Sequence, residues 1–444
     1  MTNQSFKTLG LNDLMLSVVE KLYFKEPTEI QRQAIPIILE GKSLIGQSQT
    51  GSGKTHAFLL PLLNNLDETK SDVQIVITAP TRELAIQLFE EVKTIRKLVN
   101  KEDEWKMRLI IGGLDRKRMI EQLSSTTPHI VVGTPGRILD MVDEGVLSIY
   151  RAKSFVIDEA DLMLDLKFID KIDALLVRSQ KDIQILVFSA TIPNPLQHFL
   201  DKYLEQPIRI KIEHEVTPEQ LEHRLIEARE GIDVTDQLIE ITNIIQPYVA
   251  IVFVNSKEKT EEIAEALIKE GKNVAILHGD LSSRERTRVV RGIHQLQYEY
   301  IVATDLASRG IDIKGASHVI NIDLPKEREF YIHRVGRTAR AGAKGTAISF
   351  YYEHDIPLIE KLEKDGIEFI YSSIKNNEWV EAKHYAHRKR RKKTDAELDR
   401  LAWKMVKKPK KVKPGYKKKL LLEKEKIKRR LKKQQGNYKG RRNK

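Results

Sequence analysis

Two consecutive α/β domains, each on a parallel sheet, followed by a basic tail, are what this sequence predicts. Three observations carry that expectation. Short β-rich apolar runs alternate with helical patterns along most of the chain, the signature of βαβ units. The series of runs occurs twice, with similar strand ends. Finally, 444 residues exceed what one hydrophobic core accommodates.

In the first half the runs are "SLIG" (43–46), "VQIVITA" (73–79), "RLII" (108–111), "HIVV" (129–132), "SFVI" (154–157) and "QILVFS" (184–189). The second half has "VAIVFV" (249–254), "VAIL" (274–277), "YIVA" (300–303), "HVINI" (318–322) and "GTAISF" (345–350). "IVITAPT" parallels "IVFVNS", and "HIVVGTPGR" parallels "YIVATDLASR". A duplication would place polar groups at the carboxyl ends of strands in both halves, where open α/β sheets bind ligands. The polar stretch 213–220 reads as a linker, which sets the expected domains at 1–212 and 221–374, with the tail at 375–444.

Composition narrows the function classes. No cysteine is present, so disulfides and thiolate metal sites are excluded, in keeping with a reducing cytoplasm. "MTNQSFKTLG" lacks a signal pattern, and no run of about 18 apolar residues occurs, so a soluble intracellular protein without membrane association is expected. The net charge of +13 is unevenly spread. Residues 375–444 hold 29 Lys/Arg against 7 Asp/Glu, or +22, and the rest carries −9. Such a tail is too charged to bury a core and reads as a disordered or partly helical arm for a polyanion.

"SQTGSGKT" (48–55) follows a strand and precedes an apolar helical stretch. In that context Gly51 and Gly53 let backbone N–H groups converge on phosphate oxygens at a helix N-terminus. The cradle comprises Ser48, Gln49, Thr50, Gly51, Ser52, Gly53, Lys54 and Thr55, with Lys54 reaching the β- and γ-phosphates and Thr55 ligating Mg²⁺. Ser48 departs from the glycine at the first position of the usual pattern. A phosphate loop needs a second strand ending in a carboxylate for the Mg²⁺ shell, and "FVIDE" supplies Asp158 for the metal and Glu159 as base toward water.

Asp158-Glu159-Ala160-Asp161 spells DEAD, and from Phe6 to about Phe350 the chain resembles the DEAD-box ATP-dependent RNA helicases. The resemblance implies two RecA-like domains. It also implies an adenine-reading element in "FKEPTEIQ" (24–31), with Phe24 stacking on the base and Gln31 on its edge. RNA-backbone contacts are implied for Pro80, Thr81 and Arg82 of "PTRELA", Gly113 of "GG", and Thr134 and Arg137 of "TPGR". Thr304 and Asp305 of "ATDLASRGID" join them. Ser189 and Thr191 of "SAT" would couple hydrolysis to strand separation together with Asp161 and His333. Asp312 would touch the ribose, and Arg337 and Arg340 of "HRVGRTARAG" would act as arginine fingers. Ala339 and Ser283 stand where many members have glycine and glutamine.

The physical logic agrees. Phosphoryl transfer is mostly positioning and charge neutralisation, and arginines from a second domain complete the site only on closure. Hydroxyl, backbone and arginine contacts to phosphate and sugar carry no base information, so binding to RNA is expected without sequence preference. Expected partners are ATP, Mg²⁺ and RNA, the tail adding phosphate contacts, with a monomer favoured. An ATP-gated RNA clamp is the alternative output. Compact size and a basic arm resemble bacterial members linked to ribosome assembly, RNA decay and cold adaptation.

Overall fold

The computed structural model describes residues 5–49, 51–204, 207–212, 221–229, 233–308, 311, 313, 316–338, 344–386, 405, 424, 426 and 427. The expected linker, 213–220, and most of the expected tail lie outside the described residues.

Seven strands form the first sheet: β1 (Leu44–Gln47), β2 (Ile75–Thr78), β3 (Met107–Ile110), β4 (Ile130–Gly133), β5 (Ser154–Asp158), β6 (Gln184–Ser189) and β7 (Ile208–Lys211). Their order is β3-β4-β2-β5-β6-β1-β7, and every pairing is parallel. Strands β2, β4, β5 and β6 are buried at every position, as a sheet covered on both faces requires. Alternate side chains enter opposite layers. Ile75, Ile77, Ile130 and Val132 pack into one apolar cluster, and Val76 and Val131 into the other. Edge strand β7 is mostly exposed, and no apolar run marked it in the sequence.

The second sheet contains β8 (Leu221–Glu227), β9 (Ala250–Val254), β10 (Val274–Leu277), β11 (Tyr300–Thr304), β12 (His318–Asn321) and β13 (Gly345–Tyr351), ordered β10-β11-β9-β12-β13-β8. That order repeats β3-β4-β2-β5-β6-β1 strand for strand. The paired sequences "IVITAPT" and "IVFVNS" occupy equivalent strands, β2 and β9, as do "HIVVGTPGR" and "YIVATDLASR" on β4 and β11. The likeness of strand ends thus reflects likeness of place.

Two compact units are distinguished. One, of residues 1–224 and 228–369, carries the nucleotide and RNA motifs. The other joins 225–227 to the chain from 370 onward and includes β14 (Phe369–Lys375) and β15 (Glu378–Glu381), an antiparallel hairpin. Asn376 and Asn377 turn it, with φ of 52° and 59°, the left-handed values a two-residue hairpin turn demands. The expected boundary at 375 lies at the last residue of β14, and the hairpin runs on to Glu381. Tyr371 of β14 meets His384 and Tyr385 from beyond the turn, with ring centroids 4.6 Å apart for Tyr371–His384 and 4.2 Å for His384–Tyr385. The charge runs begin only at "HRKRRKK" (387–393), so residues 375–386 retain the aromatics that packing needs. Among the described residues no helix is long and apolar enough to cross a membrane.

Candidate nucleotide and RNA site

Strand order sorts the motifs of the first domain into two halves. The phosphate loop after β1, the carboxylates at the end of β5 and "SAT" at the end of β6 come from the adjacent strands β5-β6-β1. "PTR" after β2, "GG" after β3 and "TPGR" after β4 come from the adjacent strands β3-β4-β2. Motifs interleaved along the chain fall into two groups along one sheet edge, a nucleotide half expected to bind ATP and an RNA half expected to contact the RNA backbone.

In the nucleotide half, the helix Lys54–Asn64 starts from Gly53, whose φ of 96° suits glycine. Space demands glycine there as well: a Cβ would lie 2.7 Å from both Gln31 Nε2 and Thr28 Oγ1. Ser48, buried, shares a 2.8 Å hydroxyl–hydroxyl hydrogen bond with Ser52, so its departure from the usual glycine is accommodated inside the loop. Its N–H donates to the Ser189 carbonyl, tying the loop to β6. Lys54 Nζ donates to the Ser48 carbonyl at 3.0 Å and lies 3.1 Å from Glu159 Oε1. Burial alone would depress its pKa. Glu159, Asp158 and Asp161 outweigh burial and raise it, so the ammonium is charged. Thr50 lies outside the described residues.

Asp158 is buried, and its Oδ1 has no hydrogen-bond partner. Burial, then repulsion from Glu159, pushes its carboxyl up to about 7 against the pull of Lys54. Glu159 adopts φ 49° and ψ 54°, an uncommon left-handed conformation that turns the chain between β5 and the helix Ala160–Asp165. Asp161 closes the link to "SAT". It accepts from Thr191 N and Oγ1, both at 3.0 Å, while its own N–H donates to Ser189 Oγ. Burial would raise its pKa, but His333, Lys54 and the Thr191 hydrogen bond together lower it. The four residues expected to couple hydrolysis to strand separation therefore converge.

Gln31 is buried behind the phosphate loop. Its Oε1 accepts from Thr28 N at 2.9 Å and its Nε2 donates to the Gly53 carbonyl at 3.1 Å. It braces the loop from behind, a task invisible in the sequence. Phe24 stacks on Phe6 with centroids 6.4 Å apart.

In the RNA half, a Cβ on Gly112 would lie 2.9 Å from the Arg82 guanidinium, so Arg82 lies directly over the glycine pair. Thr81 caps the helix Arg82–Leu98 by accepting from Leu84 N, and Arg137 donates to Asp140 at 2.6 Å. Thr134 precedes the helix Pro135–Asp143 and makes no side-chain cap, and Pro80 is buried at the end of β2. Gly113 has φ 88°.

Two assignments in the second domain acquire structural partners. Asp305 accepts from Arg334 Nε and Nη2, both at 2.6 Å. Arg334 is 2% exposed and also donates to Asn321 Oδ1, the Asp323 carbonyl and Asn255 Oδ1, with its guanidinium 5.0 Å from the Phe253 ring centre. The expected RNA contact Asp305 is thus the counter-ion of a buried arginine at the ends of β9, β11 and β12. Arg337, expected as a finger, is buried and donates to the Ile311 carbonyl at 2.7 Å. Thr304 ends β11 half-buried, while Asp312 and Arg340 lie outside the described residues. Sequence reasoning missed Arg286, which donates to Glu83 of "PTRELA" and to the Ala307 carbonyl at 2.9 Å.

The DEAD/DEAH box helicase family profile matches residues 28–199, and that of the helicase conserved C-terminal domain matches 230–342. The chain is 48% identical to the DEAD-box ATP-dependent RNA helicase CshB of Bacillus subtilis over 98% of its length and 99% of that protein's. It belongs to the DEAD-box ATP-dependent RNA helicases. The CshB of Listeria monocytogenes is 45% identical over 97% of this chain and 99% of the other. Among solved structures, S. cerevisiae Dbp5 bound to RNA and ADP BeF3 matches with a TM-score of 0.74 at 31% identity, covering 83% of this chain and 95% of that one. The DEAD-box chain therefore has two tandem RecA-like domains with parallel sheets, the fold expected.

Proposed function

We propose that this DEAD-box helicase binds and hydrolyses Mg²⁺·ATP on the β5-β6-β1 half of its first domain and binds RNA backbone on the β3-β4-β2 half. The observation that carries this reading is the convergence of Lys54, Asp158, Glu159 and Asp161 beside the phosphate loop. In the free protein Lys54 neutralises Glu159. Incoming triphosphate draws Lys54 to its β- and γ-oxygens and leaves Glu159 free to act as a base. Glu159 takes a proton from water as its oxygen bonds to the γ-phosphorus, and the bond to the bridging oxygen breaks to release ADP.

Mg²⁺ fits the residues present. Asp158 offers a buried oxygen without a partner, in a carboxyl whose raised pKa a dication would reverse. No cluster of three or more His, Asp or Glu among the described residues forms an all-protein metal cage, in keeping with a metal shared with substrate phosphates. Thr55 and Asp158 would hold it, and what it supplies when bound is neutralisation of charge on the phosphate oxygens.

Closure of the second domain would bring Arg340 to the γ-phosphate as the finger, Arg337 instead holding the segment at Ile311. Asp312 would contact the ribose. The Asp161–Thr191–Ser189 network would pass closure to the RNA half, bending one strand and opening a short duplex locally. Domain limits at 1–212 and near 221–386, with a basic arm beyond that tethers RNA phosphates, complete the reading. A cytoplasmic monomer acting in ribosome assembly, RNA decay or cold adaptation is the corresponding cellular setting.

Glu159→Gln tests the core of this proposal. RNA-stimulated turnover should fall by about 10²- to 10⁴-fold with ATP and RNA binding retained, measured as phosphate release beside strand displacement. Turnover close to wild type would remove Glu159 as the base.

A further inference from the structure

His56 directly follows the phosphate-loop residues Lys54 and Thr55, yet neither the phosphate chemistry nor the family motifs give it a task. Its ring stands nearly perpendicular to that of Phe24, at 84° with centroids 4.9 Å apart, an edge-to-face geometry favourable for aromatic pairs. Phe6 stacks on the same Phe24 at an interplanar angle of 23°. Three rings from separate segments therefore meet: Phe6 from the N-terminal stretch, Phe24 from the base-reading element, and His56 from the first turn of the phosphate-binding helix.

The imidazole gains little from polar contact. Nε2 is buried with no hydrogen-bond partner, and the nearest carboxylate oxygen, Glu91 Oε2, is 3.6 Å away. A buried nitrogen left without a partner costs stability. What the side chain gives in return is a flat ring against the half-buried Phe24, on a side that Phe6 does not cover alone.

We propose that His56 is a positioning residue of the nucleotide site, whose ring holds Phe24 in the orientation that meets the purine base. The proposal rests on the reading of Phe24 as the base-stacking residue. The same helix whose N-terminus receives the phosphates thereby sets the aromatic surface for the base, so the two ends of the nucleotide are held in register by one rigid element. His56 touches neither the γ-phosphate nor the attacking water, so the effect belongs to nucleotide affinity rather than to the chemical step.

The test uses the full chain with saturating RNA and measures kcat and the KM for ATP of His56→Ala, His56→Phe, Phe24→Ala and the Phe24→Ala/His56→Ala double variant, each checked for unchanged melting of the first domain. His56→Ala should raise the KM by about three- to tenfold, the range of one aromatic pair, and leave kcat within about twofold. His56→Phe should restore the KM, because it keeps the ring and discards the unpaired nitrogen. The double variant should be no worse than Phe24→Ala, since His56 acts through Phe24. A KM unchanged or lowered in His56→Ala, with Phe24→Ala impaired, overturns the inference alone. Failure of His56→Phe to rescue, or additive losses in the double variant, does so too. An unaltered KM in Phe24→Ala overturns the base-stacking reading and the inference with it.

Discussion

Asp158→Asn should make the nucleotide-free protein more stable while abolishing turnover. The wild-type carboxyl is buried, its Oδ1 lacks a partner, and burial with Glu159 beside it pushes it to about 7 from an ordinary 3.8. Between those two values the folded protein retains a proton that the unfolded chain has released. Stability therefore falls as pH rises through this window and is level above it. The difference corresponds to a ceiling of about 4 kcal/mol at and above neutrality. An asparagine has no charge to bury at any pH. If relaxation halves the ceiling, about 2 kcal/mol remains, enough to raise the melting temperature of a domain of about 200 residues by roughly 4–8 °C. At pH 5 the wild-type group is largely protonated when folded, so the advantage should shrink to under half. Saturating Mg²⁺·ATP should reverse the order, because the wild type gains a ligand that the variant holds poorly. Differential scanning calorimetry of the first domain's transition at pH 5, 6, 7.5 and 8.5, with and without nucleotide, measures all of this. A variant less stable than wild type at pH 8, or a difference that ignores pH, would refute the account of a strained carboxylate awaiting a cation.

Asp305→Asn leaves the buried Arg334 guanidinium without its bidentate partner, so the second domain should lose about 3–5 kcal/mol, read as a lowered denaturation midpoint before any effect on RNA affinity. An unchanged midpoint with weakened RNA binding would return Asp305 to the RNA surface. Gln31→Ala removes the brace to the Gly53 carbonyl together with the amide proposed for the base edge, so the KM for ATP should rise and the preference for ATP over GTP should shrink. Steady-state turnover with each nucleotide decides it, and an unaltered preference would confine Gln31 to bracing the loop.

Features that depend on a few contiguous residues are legible in the chain alone. "SQTGSGKT" reads as a phosphate loop because its glycines and lysine act within one strand–loop–helix turn. "FVIDE" reads as a metal carboxylate because the apolar run and the acids share one strand. Alternation of apolar runs with helical patterns, repeated twice, determined the two parallel sheets for the same reason. Which polar groups those motifs use on each other depends on packing between distant segments. Strands β3, β4 and β2, which carry the motifs expected to contact RNA, are neighbours because crossovers bring distant strands side by side, and no local pattern records that order. Asp305 and Arg334, 29 positions apart, became a buried pair, and Thr81 became a helix cap. The hairpin of β14 and β15 was hidden under the charge count of the tail. Gln31 reached the Gly53 carbonyl, and His56 met Phe24, through packing of segments 22 and 32 residues apart. A local pattern specifies what a side chain is able to do. Burial decides which partner it has, because a polar group or ring removed from water must satisfy itself against whatever the sheet order places beside it.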